Sequence, residues 1–170
     1  MADKTDFIIS DERDKWLKQN DEELFRQCGM EAFKGSGNGG QKRNKTSSSV
    51  RLRHVPTGIT VTDCSGRSQH HNRHEALKKL RFQLALNVRT GIPAVPERAE
   101  VSLDSPDYPI WTAAMVDHLL KNNFSLKDTA ESFGLSTSKL VKLLYRDPAL
   151  WQAVNRFREQ AGLPLMIKKE

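Results

Sequence analysis

Residues 28–62 read CGMEAF, KGSGNGGQKRNKTSSS and VRLRHVPTGITVT in succession. The middle block, Lys34 to Ser49, holds sixteen residues with no apolar side chain, four glycines, four basic residues and no acid. Such a block cannot bury itself, and a connection of that length inside a compact domain is either functional or disordered. On both sides of it the sequence turns strand-like. Cys28–Phe33 alternates and predicts a strand feeding the loop. Val50-Arg51-Leu52-Arg53-His54-Val55 reads as a strict alternation of apolar and basic residues, Pro56-Thr57-Gly58 predicts a turn, and Ile59–Thr62 alternates again. The expected product is an antiparallel hairpin with one buried face and one wet, basic face.

Outward from this centre the pattern becomes helical. Residues 11–27 predict one or two short helices with Trp16, Leu17, Leu24 and Phe25 as their apolar stripe. From Gln69 to about Arg89, Ala76, Leu77, Leu80, Leu84 and Val88 recur at three- and four-residue spacing, which predicts one long helix. Ser68 is its expected N-cap, and Thr90-Gly91-Ile92-Pro93 its stop. Residues 91–109 carry four prolines and read as a linker with a short strand around Glu100–Leu103. Residues 110–162 read as helical throughout. Ser125–Arg146 fits a helix-turn-helix, with Ala130 at the packing point, Gly134 at the turn and Phe133, Leu135, Leu140 and Leu143 in the core. Ser136 or Thr137 would cap its second helix, and Pro148 would open a last helix through Trp151, Val154 and Phe157. The expected class is α+β: a domain at 1–90 with antiparallel strands and a long helix, a linker at 91–109, and an all-helical, helix-turn-helix-like domain at 110–165.

Charge is uneven along the chain. The net charge is +6, made of −4 in residues 1–33, +10 in residues 34–90 and zero in residues 91–170. Basicity concentrated in the module that holds the glycine loop points to a polyanion docked there. Cys28 and Cys64 are too few for a disulfide framework or a cysteine-built zinc site, which suggests a reduced, cytoplasmic setting. No apolar run is long enough to cross a bilayer, and the acidic start MADKTDFIISDERDK lacks a secretory pattern.

Several sharper readings fail on their context. Gly35-Ser36-Gly37-Asn38-Gly39-Gly40 satisfies GxGxxG, but a dinucleotide site needs an apolar-faced helix directly afterwards, and Gln41–Ser49 offers nothing to pack. His70, His71 and His74 lack the glutamate and second cysteine that a zinc site of this spacing would need, so no metal is expected. Ser47-Ser48-Ser49 with those histidines makes no credible triad, since only Asp63 is near and it reads as a strand end.

Five ordered motifs in residues 28–85 resemble the catalytic, GGQ-containing domain of class I peptide chain release factors. They are Gly39-Gly40-Gln41 with Asn44, Ser49-Val50-Arg51, Pro56-Thr57-Gly58-Ile59, Arg67-Ser68-Gln69-His70, and Asn72-Arg73. The resemblance implies a loop tip that enters the peptidyl transferase centre and promotes attack of water on the ester joining peptide to tRNA. Gly39, Gly40 and Gln41 would be the catalytic residues. Adjacent glycines permit positive φ and a close approach to RNA, and the Gln41 N–H would stabilise the developing oxygen charge. Lys34, Lys42, Arg43, Asn44, Lys45, Arg51, Arg53, Arg67, Gln69, His70 and Arg73 would hold RNA. The implied partners are large-subunit ribosomal RNA, peptidyl-tRNA and, because relatives carry a methylated glutamine there, a methyltransferase acting on Gln41. No cofactor is implied.

The chain departs from that family in three places. Lys42 stands where many full-length members have His. No stretch resembles the domain that reads stop codons, and Ser105-Pro106-Asp107 is only a faint echo of a codon-reading tripeptide. The end, Leu163 to Glu170, is short and weakly basic where rescue factors often have a long basic tail. The expectation is therefore a codon-independent ribosome-rescue hydrolase. Its rivals are a non-enzymatic RNA- or DNA-binding protein using the loop and the helix-turn-helix, and a relative that needs a protein partner.

Overall fold

The computed structural model describes residues 7–34, 48–91 and 97–167. The chain forms two compact units, residues 15–84 and residues 1–14 with 85–170. The division falls inside the first helix and near the end of the long one. The cause is local and lies in the second unit. There β1 (Ile8–Ile9) pairs in parallel with β5 (Val88–Arg89), which draws the N-terminal segment to the helical residues.

In unit 15–84, α1 (Arg13–Lys18) leads to α2 (Asp21–Phe25), which Asn20 and Glu23 open with a reciprocal capping box. The strands β2 (Cys28–Phe33), β3 (Ser49–His54) and β4 (Thr60–Asp63) make an antiparallel sheet in the order β2-β3-β4. Register runs from Cys28 opposite His54 to Phe33 opposite Ser49, and from Val50 opposite Asp63 to Arg53 opposite Thr60. The helix α3 (Gln69–Asn87) follows, with Ala76, Leu77, Leu80 and Leu84 buried as their spacing predicts.

One expectation fails in β3. Period two places Val50, Leu52 and His54 on the buried face, so the imidazole goes in and Val55 is left 69% exposed. His54 is not part of a basic outer face. Its Nδ1 pairs with Thr57 Oγ1 at 2.8 Å and its ring meets Trp16 edge-on at 4.7 Å, while its Nε2 has no partner among the described residues. Burial pushes this imidazole down to about 4 from 6.5. The folded state thus resists a proton that the unfolded chain accepts, so stability is complete above pH 6.5 and is lost as pH falls towards 4. We expect that loss to reach up to about 3 kcal/mol, and to be absent in His54→Phe when urea midpoints at pH 7 and pH 4.5 are compared. Equal acid losses in both proteins would refute the assignment.

In the other unit, α4 (Tyr108–Lys121), α5 (Leu126–Ser132), α6 (Thr137–Arg146) and α7 (Pro148–Gln160) pack around Trp111, Met115, Leu119, Leu140, Leu144, Val154 and Phe157. Ser125 caps α5, Ser136 caps α6, and Asp147 caps α7 with Pro148 at its first position. Gly134 takes φ +63° in the turn of the helix-turn-helix, a conformation that favours glycine. Leu135 is only half-buried, so the core expected around it rests on Phe133, Leu140 and Leu143. No strand forms among residues 97–107. Glu100 is instead paired with Lys139 at 2.7 Å and Arg146 at 3.3 Å, and Trp111 Nε1 donates to the Ala99 carbonyl, so side chains rather than a neighbouring strand fix this stretch.

Arg89 likewise leaves the helix it was expected to end. Buried in β5, it donates to Asp117 Oδ1 at 2.6 Å. Arg13 donates to the same oxygen at 2.9 Å.

Candidate nucleic-acid interface

The sheet brings the two ends of the glycine block together, since Phe33 pairs with Ser49 across β2 and β3. Gly39, Gly40, Gln41, Lys42, Arg43, Asn44 and Lys45 all lie outside the described residues. Lys34 is exposed at the end of β2. Arg51 and Arg53 point outward from β3, Arg67 lies exposed in the β4–α3 connection, and Gln69 and His70 are exposed in the first turn of α3. Arg73 follows one turn later and is half-buried.

These cations are not equivalent. Arg51 donates to Glu31 at 2.9 Å and lies over the Phe33 ring at 5.2 Å. Arg73 lies over Phe25 at 4.8 Å, 3.6 Å from Glu22. Both are therefore partly occupied in holding the unit together. The side chains of Arg53, Arg67 and His70 make no ion pair or hydrogen bond among the described residues, and all three are exposed to solvent. Two corners are tied by carboxylates. Burial pushes Asp63 up, but hydrogen bonds from Lys79 and Ser65 outweigh it and hold the carboxyl below its usual range. Asp21 behaves the same way between Arg81 and His74, which joins α2 to α3. Lys79 and His74 are thus committed to structure. Among the described residues no group of His, Cys, Asp and Glu could hold a metal ion. Burial pushes the Cys28 thiol up to about 11, so it stays protonated at neutral pH.

Asn72, named above only as part of a motif, has a structural role that the sequence does not assign. It is fully buried, and its side chain bonds both to Gly66 and to Ser48, the described residue next to Ser49 at the end of the glycine block. Its signal is visible in retrospect, because position 72 falls four residues before Ala76 on the apolar stripe and yet is polar.

Residues 20–102 match the RF-1 domain. Peptide chain release factor 2 of Caulobacter sp. (strain K31) is 57% identical over 54 residues, which cover 32% of this chain and 15% of that protein. Peptide chain release factor 1 of Xylella fastidiosa (strain 9a5c) is 46% identical over 61 residues, covering 36% and 17%. Peptide chain release factor 2 of Thermotoga petrophila is 53% identical over 55 residues, covering 32% and 15%. Residues 20–102 are thus similar to the RF-1 domain, and the chain is similar over 54–61 residues to peptide chain release factors. The matched segment spans about one sixth of the length of those relatives.

Proposed function

We propose that this protein hydrolyses the peptidyl-tRNA ester on the ribosome and does so without reading a stop codon. The observation that carries the reading is the position of Gly39-Gly40-Gln41. The tripeptide lies inside the RF-1 match, in a block whose two ends are joined by the pairing of Phe33 with Ser49. Gly39 and Gly40 would admit the backbone to the reaction centre, and the Gln41 N–H would meet the developing oxygen charge. Lys34, Lys42, Arg43, Asn44, Lys45, Arg53, Arg67, Gln69 and His70 would contact RNA, with Arg51 and Arg73 contributing less because each already has a partner. Codon independence is our own expectation, and the helical unit, which lies mostly outside the RF-1 match, is where ribosome contacts other than those of the loop would be sought. A methyltransferase acting on Gln41 is a further proposed partner, and a cytoplasmic location follows from the ribosomal one. Among the described residues no helix is long and apolar enough to cross a membrane.

The test is release of labelled formyl-methionine from initiator tRNA on ribosomes bearing a stop codon, a sense codon or no codon in the A site. Equal release in all three, abolished by Gly40→Ala, is the expected result. Release only at a stop codon would refute codon independence, and no release despite ribosome binding would leave a binding protein. The interface makes its own prediction. Each of Arg53→Ala and Arg67→Ala should reduce the salt-dependence slope of ribosome binding by about one. Arg51→Ala should reduce it by less than half as much, because Glu31 already neutralises that charge. Equal slopes for all three would contradict the distinction.

A further inference from the structure

Asn72 makes three hydrogen bonds from a fully buried amide. Its Oδ1 accepts from the Gly66 N–H at 2.7 Å, and its Nδ2 donates to the Ser48 carbonyl at 2.7 Å and to the Gly66 carbonyl at 3.1 Å. The backbone N–H of Gly66 can only donate, so the amide oxygen must face it. Both Nδ2 hydrogens are then spent on the two carbonyls. Helix α3 holds Asn72 from beneath, its backbone N–H bonded to the Ser68 carbonyl at 3.0 Å. A Cβ at position 66 would stand 2.4 Å from His71 Cδ2 and 3.0 Å from Asn72 Oδ1, so a larger residue there would force those side chains to shift.

We propose that Asn72 is a positioning residue that clamps the backbone at Ser48 to the first turn of α3 through Gly66, and so fixes where the glycine block rejoins the sheet. The inference rests on the hydrolase reading above and adds to it a tether at Ser48, the described residue that precedes β3. The sheet alone supplies one constraint at this point, the pairing of Ser49 with Phe33. That ladder end is terminal and would fray without a second tether. The clamp acts through carbonyl acceptors, which a carboxylate cannot satisfy. Asn72→Asp has the same shape but would set an oxygen against two carbonyls, so it separates hydrogen bonding from packing.

The experiment compares wild type, Asn72→Ala, Asn72→Asp and Val61→Ala, the last a core truncation in the same sheet that leaves the clamp intact. Backbone amide exchange at Ser49 and Val50 reads the clamp directly. Single-turnover peptide release against ribosome concentration gives kcat and KM. Both Asn72 variants should exchange at least about tenfold faster at these two amides than at Leu52. They should also lose about 100-fold in kcat with KM within about threefold of wild type. Val61→Ala should lower the urea midpoint while keeping kcat per folded molecule. Unchanged exchange in the Asn72 variants overturns the clamp. Faster exchange with wild-type kcat overturns its role in release. Loss of kcat in Val61→Ala of the same size makes the effect one of general stability and overturns the assignment. If wild type itself releases nothing, the hydrolase reading fails, and with it the proposed service to release; the exchange arm still decides whether the clamp exists.

Discussion

Asp117→Ala is expected to cost about 3–5 kcal/mol of stability, seen as a lower urea midpoint at an unchanged slope. The side chains of Arg13, Asp117 and Arg89 are exposed by 1%, 2% and 3%. Asp117 Oδ1 accepts from both guanidiniums, and Arg13 lies 2.8 Å from Oδ2 as well. Burial pulls Arg89 down to about 10, against the pull of Asp117, so it remains charged at neutral pH. Removing the carboxylate leaves two buried cations with only Asp14, 2.8 Å from Arg13, to offset them. Asp117→Asn keeps an acceptor but not the charge, and should recover less than half of the loss. The set nevertheless need not be a net source of stability, because desolvating three ions opposes their attraction. Replacing all three together, Arg13→Met, Asp117→Leu and Arg89→Met, should come within about 2 kcal/mol of wild type or exceed it. A single Asp117→Ala with no effect on the midpoint would show that these charges are not buried as a set.

These three residues also show where a sequence stops being informative. Arg89 and Arg13 stand 28 and 104 positions from Asp117 along the chain, and nothing local marks them as its partners. The apolar spacing continues to Val88 and so predicts that Arg89 ends the helix. The chain instead leaves the helix at Asn87 and pairs Val88 with Ile8, a two-residue parallel contact with no periodicity to betray it. By contrast, β2, the hairpin, α3 and the helix-turn-helix were legible. Each is specified by a period, a turn residue and a cap lying within about 20 residues. Within the hairpin the one error, His54 against Val55, arose from reading residue type where strand parity decides. At the candidate site the exposed cations were readable, but their commitments were not. Glu31 opposite Arg51 and Phe25 beneath Arg73 follow from register and packing. Asn72 could have been found, since a polar residue on an apolar stripe must bond to something inside.

Gly40→Ala is expected to lower peptide release by about 10²–10³-fold with ribosome affinity changed less than about threefold. The separation follows from charge. The substitution removes no cation, so the counterion contribution that dominates RNA affinity is untouched, whereas an added Cβ restricts the backbone that must deliver the Gln41 N–H. Single-turnover release and equilibrium binding at two salt concentrations measure the two effects separately. Position 41 then tells backbone from side chain. Gln41→Ala keeps the N–H and should retain most of the rate with water as nucleophile, while losing discrimination against larger nucleophiles such as hydroxylamine. Gln41→Pro removes the N–H and should fall to the level of Gly40→Ala. If Gln41→Ala and Gln41→Pro are equally inactive, the side chain carries the chemistry and the oxyanion role assigned to the backbone is wrong. If both release peptide like wild type while Arg53→Ala weakens binding, the block grips RNA without catalysing anything, and the protein is a binding module on the ribosome rather than a hydrolase.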